Sequence, residues 1–286
     1  MTRSVSLTPL ARRRRGPGTP ALYAGLIVLA FFTLIPFYWM VATALKEPQN
    51  VLTFPPQWVP IPAKFSNFVT AWTVRPFGRW FANSIFIAAA ATFLQLVTCS
   101  MAAYAFARLK FAGRDRLFLL YLGTLMIPGQ VTLIPTFILI RLLDWSDTYQ
   151  ALILPPAFSA FGTFLLRQFF LTIPFELEDA ARIDGANRFQ TYFRVILPLA
   201  GPGVAALTIF SFLQLWNSFL WPLVITNTIE MNTITVGLRA FQGQYMTDYS
   251  LLMAAATLSL LPMLIVFLVA QRYFVEGIQF AGITGR

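Results

Sequence analysis

Histidine is absent from this sequence, cysteine occurs once, and charged side chains are few. The 286 residues include no His and a single Cys, Cys99. Because zinc and copper sites are built mainly from imidazole and thiolate groups, the usual sites for these metals are excluded, and so is His-dependent acid–base catalysis. One Cys also cannot form an intramolecular disulfide. We therefore predict neither a metal ligand nor a catalytic residue in this chain.

The scarcity of charge defines the class of protein. Charged residues make up 11% of the sequence, whereas a soluble globular domain contains about 25%. Hydrophobic residues make up 57%, Phe alone occurs 29 times, and the mean hydropathy is +0.67. This composition predicts an integral membrane protein. The net charge of +10 does not indicate a nucleic-acid surface, because the basic residues stand at the ends of apolar segments rather than on one face.

Uncharged stretches repeat along the chain at lengths near the 20 or so residues that a membrane-spanning helix needs. Six of them are found, at 21–45, 81–107, 117–140, 149–166, 199–229 and 249–271. The fold prediction is therefore an all-α polytopic membrane protein with six transmembrane helices within 21–275, between tails at 1–20 and 276–286. The first stretch is too long for a signal peptide and no small-residue cleavage site closes it, so we expect a retained helix.

Basic residues predict the orientation of these helices. If the N-terminus is cytoplasmic, fifteen of the 21 Lys and Arg fall on the cytoplasmic side, as the positive-inside rule requires. Both tails and the polar segment 172–198 are then cytoplasmic. The longer loops 46–80 and 230–248 are extracytoplasmic, and a short helix is expected within 67–72.

The polar segment 172–198, here called the elbow, interrupts the apolar sequence. Glu176, Glu178 and Asp179 stand where a helix would begin, and negative charge is favoured there by the helix dipole. Glu178 and Arg182 are four residues apart, a spacing that supports an ion pair on one helix face. Gly185 is a poor residue inside a helix and predicts a bend.

A second short helix is expected after that bend. It would run over 187–196 and stop before Pro198, because proline disfavours helical conformation in the residue before it. Asp184 and Arg188 form another pair at the four-residue spacing. The elbow is then a helix–turn–helix at the membrane surface. It is either a docking surface for a soluble partner or an amphipathic surface helix with no partner.

The elbow resembles the EAA loop in the membrane subunits of ABC importers. That pattern is Glu-Ala-Ala, three residues, Gly, nine residues, Ile, one residue and Leu-Pro. Here the spacing is intact, with Asp in place of Glu and Val in place of Ile. The matching residues are Asp179, Ala180, Ala181, Gly185, Val195, Leu197 and Pro198.

The rest of the chain is similar to the smaller permease subunit of maltose-type carbohydrate importers. Short segments carry this likeness after the first helix: WFANS at 80–84, MIP at 126–128, TLIP at 132–135, ILP at 153–155, IDGA at 183–186 and WN at 216–217. The resemblance implies a bacterial or archaeal plasma membrane, a second permease subunit, two ATP-binding subunits and an extracytoplasmic binding protein. It implies no cofactor on this chain, since ATP and Mg belong to the ATPase subunits, and the chain has no Gly-x-x-x-x-Gly-Lys-Ser/Thr phosphate loop.

By this resemblance, contact with the ATPase falls on residues of the elbow. They are Glu178, Asp179, Ala180, Ala181, Asp184, Gly185 and Pro198. The loop 230–248 corresponds in position to the loop that reaches into the binding protein, and its expected tip is Gln242, Gly243, Gln244 and Tyr245. The alternative for that loop is an ordinary solvated segment.

Polar side chains within the predicted spans are few, and none is clearly ionisable, which argues against proton coupling. Gln214 and Asn217 are three residues apart and would share a helix face, between Trp216 and Trp221. Amide and aromatic groups suit a wall that faces a sugar, although hydrogen bonding between helices is the alternative. With Gln130, these two amides are the predicted substrate-pathway residues.

The sequence thus predicts a non-enzymatic permease subunit that forms half of an ATP-driven pathway for a sugar or oligosaccharide. One alternative is the same machinery with a polyol or a glycerol-phosphate compound as its cargo. A phosphorylated cargo would need cationic groups in the pathway, and this chain has none at depth. Two further alternatives are a transporter or channel that acts alone, against which the elbow argues, and an intramembrane enzyme, for which no nucleophile–base pair is found.

Overall fold

The computed structural model describes residues 19–243 and 247–283, with the side chains of 21–243 and 247–269. Within these ranges the chain is helical and has no β-strand, which confirms the all-α class. In chain order the α-helices are α1 (Thr19–Ala44), α2 (Ser66–Thr73), α3 (Phe77–Arg108), α4 (Arg114–Gly123), α5 (Gly129–Leu142), α6 (Tyr149–Ile153), α7 (Ala160–Thr172), α8 (Glu176–Ile183), α9 (Arg188–Thr191), α10 (Leu197–Leu199), α11 (Gly201–Trp216), α12 (Leu220–Ile225), α13 (Ile234–Gly237) and α14 (Tyr249–Ile283).

Three of these helices, α1, α3 and α14, are each long and apolar enough to cross a bilayer. The number rises to as many as six if each of three sharply bent helix pairs counts as one span. Those pairs bend by 97° between α4 and α5, by 45° between α6 and α7, and by 78° between the segment Arg188–Leu199 and α11. The predicted count of six is thus the upper end of what the described helices allow.

Proline lies at or near each of these bends. Pro128 directly precedes α5, and Ile127 before it is extended with φ −86° and ψ 114°, as expected for a residue that precedes proline. Pro155 begins the short 3-10 turn between α6 and α7. Pro202 lies in the first turn of α11, directly after the bend. At such positions the missing N–H of proline ends one helical segment or begins the next.

The bundle is built around α3. This helix packs against both α7 and α11, while α1 packs against α14. One buried apolar cluster, with Leu166, Phe170 and Ile196, lies at the end of the bundle that carries the elbow, here called the elbow end. A second cluster lies at the opposite end, around Trp80 and Trp216.

The close approach of α13 to α3 depends on a residue without a side chain. A Cβ atom at Gly237 would overlap the ring of Trp80, and Trp80 is fully buried. The indole Nε1 of Trp80 donates a hydrogen bond to the carbonyl of Ile229 at 2.7 Å. Small residues allow helices to approach at this distance. The segment 229–237 is therefore held against the start of α3.

The predicted short helix in the loop 46–80 is confirmed as α2. Its residue Asn67 is buried, and its side-chain amide donates to the carbonyls of Ala44 and Lys46, each at 2.8 Å. The loop is thereby fastened to the end of α1.

The uncharged stretch 199–229 is longer than one span, and the structure divides it: α11 ends at Trp216 and α12 begins at Leu220. Pro222 has no N–H with which to continue the helical bonding to the carbonyl of Ser218. That carbonyl instead accepts a hydrogen bond from the hydroxyl of Thr235 at 2.6 Å.

The final helix is longer than the predicted span 249–271. The backbone stays helical to Ile283, so no change of secondary structure marks the predicted boundary at residue 275. The tail residues 1–18 and 284–286 lie outside the described ranges. The point at which α14 leaves the membrane remains a prediction.

Candidate functional site

The elbow has the bend that was predicted at Gly185. This glycine has φ +82°, a left-handed conformation that favours glycine. The N–H of Ala186 donates to the carbonyl of Ala181 at 2.9 Å, and the N–H of Gly185 donates to that of Arg182 at 3.0 Å. These two bonds are the Schellman pattern that ends a helix at a C-terminal glycine. Gly185 thus ends α8 and turns the chain.

The second arm of the elbow begins with a capping box. The side chain of Asn187 accepts from the N–H of Gln190 at 2.9 Å, and the side chain of Gln190 accepts from the N–H of Asn187 at 2.8 Å. Each side chain satisfies a backbone donor that has no partner within the helix. The turn between α8 and α9 is therefore encoded locally, by Gly185 at one side and Asn187 at the other.

The two ion pairs predicted within the elbow are both wrong. Glu178 does not pair with Arg182; instead its Oε1 lies 3.1 Å from Nε of Arg108 at the end of α3, and Arg182 pairs with Asp179 at 3.3 Å. Asp184 and Arg188 form no ion pair within the described part of the chain. Asp184 directly follows α8 and Arg188 begins α9, so the spacing within one helix does not apply to them.

The Arg108–Glu178 pair is buried, with side-chain exposures of 0% and 2%. Arg108 also donates to the carbonyls of Phe170 and Ile173 at the end of α7, and its guanidinium lies 4.3 Å from the centre of the Phe175 ring. Burial raises the pKa of Glu178 above its usual range, and the charge of Arg108 opposes that rise. Glu178 is thus an anchor that attaches α8 to the bundle, not a side chain free to contact another protein.

The other predicted coupling residues lie on the outside of the elbow. Asp179, Ala180, Asp184 and Gly185 are exposed, and Ala181 is half-buried. Their role in contact with an ATPase remains a prediction.

Sequence reasoning missed the large apolar side chains of the elbow. Ile183 is 87% exposed directly before the turn, and Phe189 is exposed directly after it. Phe193 is exposed too, and its ring stacks on that of Phe189 with centroids 6.4 Å apart. Exposed apolar residues at a surface turn were the signal that could have identified this tip, since such groups mark interaction sites.

The expectation that the second helix stops before Pro198 is wrong. Helical backbone continues from Arg188 to Leu199, with a π-helical turn over Tyr192–Ile196. That turn changes the hydrogen-bonding register and places Pro198 in the first turn of α10, where proline has no intrahelical donor to lose. The chain bends one residue later than α10, at Ala200.

A cavity of about 560 Å³ lies between α3, α5 and α11. Gln130 and Gln214, two of the three predicted pathway residues, line it, and neither side-chain amide has a hydrogen-bond partner among the described residues. Asn217 does not line it. Its side-chain amide donates to the carbonyl of Leu213 at 2.9 Å, a hydrogen bond at the end of α11. The lining is uncharged, with further polar groups that only the fold brings together: Ser84, Thr132, Thr136, Ser218 and Thr233.

The loop at the opposite end is fastened to the bundle. The side-chain amide of Asn83 donates to the carbonyls of Glu230 and Asn232 at 2.7 and 3.0 Å, and its oxygen accepts from the hydroxyl of Tyr149 at 2.7 Å. Further along, Gln242 pairs with Thr247 in an antiparallel bridge. Gln242 and Gly243 are exposed, whereas Gln244 and Tyr245 lie outside the described residues. Contact of this tip with a binding protein remains a prediction.

Asp147 joins two loops at the same end. Its carboxylate accepts hydrogen bonds from the N–H groups of Asn227 and Thr228 at 2.8 and 3.1 Å, and from the Thr228 hydroxyl at 2.7 Å. Partial burial acts to raise the pKa of Asp147, but these hydrogen bonds outweigh it and hold the pKa below its usual range.

Comparison with known proteins places these features in a family. Residues 95–279 match the binding-protein-dependent transport system inner membrane components. The chain is 35% identical over 271 residues to the arabinooligosaccharides transport system permease protein AraQ of Halalkalibacterium halodurans, covering 92% of this chain and 96% of that protein.

Two further relatives have other names. The sn-glycerol-3-phosphate transport system permease protein UgpE of Pectobacterium atrosepticum is 36% identical over 261 residues, covering 88% of this chain and 93% of that protein. The probable ABC transporter permease protein YurM of Bacillus subtilis is 33% identical over 280 residues, covering 96% and 91%.

Solved structures show the same fold. A chain from a bacterial ABC transporter involved in the import of the acidic polysaccharide alginate superposes with a TM-score of 0.80 at 24% identity, covering 93% of this chain and 100% of that one. A chain from the alginate transporter in complex with an alginate pentasaccharide-bound periplasmic protein gives a TM-score of 0.58 at 17% identity, covering 87% and 92%.

Proposed function

Because this chain belongs to the binding-protein-dependent transport system inner membrane components, we propose that it forms half of the translocation pathway for an uncharged sugar or oligosaccharide. Membership makes it an inner-membrane permease subunit of an ABC importer, not an enzyme. The nature of the cargo, the residues that face it and the sidedness of the chain are parts of the proposal.

The uncharged cavity between α3, α5 and α11 is the observation that carries the choice of cargo. The amides of Gln130 and Gln214 have no partner there among the residues that the structure describes, and the aromatic rings of Phe219 and Trp221 complete the wall. Amide groups can both donate to and accept from sugar hydroxyls, and mostly apolar pockets with a few polar groups are typical of small-molecule sites. The likeness to AraQ supports a sugar in particular.

A glycerol-phosphate compound is the second candidate, because the chain is similar to UgpE. A phosphate group is bound most strongly by charge-assisted hydrogen bonds from Arg or Lys. Of the described residues, none that lines the cavity is charged, so the geometry favours the sugar.

The elbow is proposed to couple this chain to an ATP-binding subunit. Asp179, Ala180, Ala181, Asp184 and Gly185 form the contact face together with Ile183, while Glu178 and Pro198 hold that face in place. The rigid attachment of α8 to α3 supports this assignment, because closure of the ATPase dimer could then move the bundle as a body. ATP and Mg are bound by those partner subunits.

The cytoplasmic side is proposed to be the elbow end, with both termini on the same side. Basic residues gather there: Lys110 and Arg114 follow α3, and Arg167 lies 4.0 Å from Asp115 at the start of α4. Such an excess is typical of cytoplasmic ends. The loop that contains Gln242 then faces the binding protein.

Purification in mild detergent, followed by mass spectrometry of the bound proteins, tests this function. We expect an ATP-binding subunit and a second permease to accompany the chain. Uptake in cells should be competed by an arabinooligosaccharide and not by sn-glycerol 3-phosphate. A chain that purifies alone and moves solute into vesicles without ATP would overturn the proposal, and competition by the phosphate alone would replace the sugar with the second candidate.

A further inference from the structure

Two neighbouring cavities at the elbow end differ in chemistry and share a wall. One is an apolar groove of about 390 Å³, lined by Met101 and Tyr104 of α3 and by Phe189 and Tyr192 of the elbow. The other has a volume of about 680 Å³ and a polar lining that includes Lys110, Arg182 and Asp179. Leu109 and Arg188 line both. The two cavities therefore form one continuous site that is apolar at one end and cationic at the other.

The cationic cavity has positive charge that nothing in the described part of the chain neutralises. Arg108 is paired with Glu178, and Arg182 is paired with Asp179. The side chains of Lys110 and Arg188 make no ion pair or hydrogen bond with any described residue. Two free cations thus face a cavity whose remaining charges are already compensated, which suits an anionic group.

The groove lies along the last turns of α3, a helix that is long and apolar enough to cross a bilayer. Met101 is 43% exposed and precedes Arg108, the last residue of α3, by seven positions, which is about 10 Å along a helix. Lys110 follows directly after that end. An apolar groove thus lies along the end of this helix and cations follow directly after it, in the order of the tail and the headgroup of a phospholipid.

We propose that this composite site binds one anionic phospholipid, with an acyl chain in the groove beside Met101 and its phosphate between Lys110 and Arg188. Basic pockets at the cytoplasmic ends of membrane helices recognise such headgroups by charge. A free phosphate ion would occupy only the cationic cavity and leave the groove unfilled.

The bound lipid would connect the elbow to α3. Arg188 is the first residue of α9, while Leu109 and Lys110 follow α3, so a phosphate held between Arg188 and Lys110 bridges the two elements. If the elbow transmits motion from an ATPase, which rests on the function proposed above, the supply of anionic lipid modulates that transmission. The lipid site itself does not depend on that function.

The test measures bound lipid directly. The importer complex is reconstituted in nanodiscs of equal parts phosphatidylcholine and phosphatidylglycerol, released into mild detergent, and analysed by native mass spectrometry for retained lipid. The test variant is Lys110→Gln with Arg188→Gln. Its control is Arg116→Gln with Arg194→Gln, which removes the same charge from exposed residues that line neither cavity.

We expect the wild-type complex and the control to retain one phosphatidylglycerol per chain. The test variant should bind it about 30-fold more weakly, as expected for the loss of two basic residues near the surface. Ala105 also lines the groove, so a second variant, Ala105→Phe, fills it without a change of charge and should also lose the lipid. Equal retention by all four proteins, equal loss in the control, or retention of phosphatidylcholine instead would overturn the site.

Failure of the proposed function would give a different result. Normal lipid retention by a chain that imports nothing would leave the lipid site standing and remove the transport proposal. Normal import together with no retained lipid would remove the lipid site and leave the transport proposal standing.

Discussion

Nε of Arg108 lies 3.1 Å from Oε1 of Glu178, and both side chains are buried. The pair joins residues 70 positions apart, at the end of a membrane helix and in the first turn of the elbow. Because Arg108 also binds the carbonyls of Phe170 and Ile173, a single guanidinium holds together α3, the end of α7 and α8. The elbow is therefore a fixed part of the bundle.

Loss of this pair should destabilise the protein strongly. We expect Glu178→Ala to lower the free energy of unfolding by about 3 kcal/mol, because it leaves the charge of Arg108 buried and unpaired. Asp115→Ala is the control, since the carboxylate of Asp115 is exposed in its pair with Arg114 and its loss should change the stability much less. Thermal unfolding of the purified importer measures both. Equal shifts in the unfolding temperature for the two variants would show that the buried pair contributes no more stability than the exposed pair.

The bend at Gly185 should tolerate only residues that accept a positive φ. A Cβ atom there would meet nothing within 4 Å, so the effect of Gly185→Ala isolates backbone strain, at about 1 kcal/mol. The effect of Gly185→Asn should be smaller, because Asn adopts a positive φ more readily than Ala. Gly201→Ala is the control, as that glycine also has open space but no positive φ. Uptake and ATP hydrolysis by reconstituted complexes should fall for Gly185→Ala, less for Gly185→Asn and not for Gly201→Ala.

The apolar tip should be required for attachment of the ATPase. Ile183→Asp introduces charge at a side chain that is 87% exposed, so it should leave the stability of the isolated chain unchanged. We expect the ATP-binding subunit to be lost on purification. Leu52→Asp makes a comparable change at an 80% exposed position in the loop after α1 and should keep the subunit. Retention of the ATPase by Ile183→Asp would remove the tip from the proposed interface.

The two cavity amides should matter for transport, and Asn217 should not. Gln214→Leu is expected to lower the uptake rate at subsaturating sugar by about 3- to 10-fold, as for the loss of one hydrogen bond. Gln130→Leu should act similarly. Asn217→Leu removes an amide that binds its own helix, so sugar uptake should stay within about twofold of wild type. A larger effect at Asn217 than at Gln214 would contradict this pathway.

The contacts of Asp147 should be lost only in acid. Since hydrogen bonding holds the pKa of Asp147 below its usual value of 3.8, its stabilisation is complete above that value and disappears as the pH falls through the lower pKa of the folded state. Hydrogen exchange at the amides of Asn227 and Thr228, corrected for intrinsic rates, should speed up below about pH 4. Asp147→Asn should speed it up already at neutral pH, and Asp144→Asn should not. Corrected exchange rates that do not change with pH in the wild type would contradict the role of Asp147 in these contacts.

Features encoded within a few residues were predictable from the sequence. The turn at Gly185 follows from a helix-ending glycine, and the apolar stretches indicated an all-α membrane protein. The breaks near Pro128 and Pro202 also had a local signal, which the hydropathy pattern concealed because proline scarcely changes the apolar character of a stretch.

Features that depend on distant residues were not predictable. Glu178 has Arg182 at a helical spacing, and nothing local indicates that burial selects Arg108 instead. The polar wall of the cavity gathers Ser84, Gln130 and Thr233 from separate parts of the chain. Only the fold brings such side chains together, so their sequence neighbours give no sign of a shared role.

The contact of Gly237 with the ring of Trp80 limits how this protein can evolve. Every amino acid that a point mutation can produce from a glycine codon adds a Cβ atom, and at this position that atom overlaps the indole. Replacement of Trp80 alone would in turn leave an empty space in the buried cluster around it. The two positions are therefore interdependent. A library of single substitutions would reject changes at either position. A library that varies both positions together could accept some of the same changes.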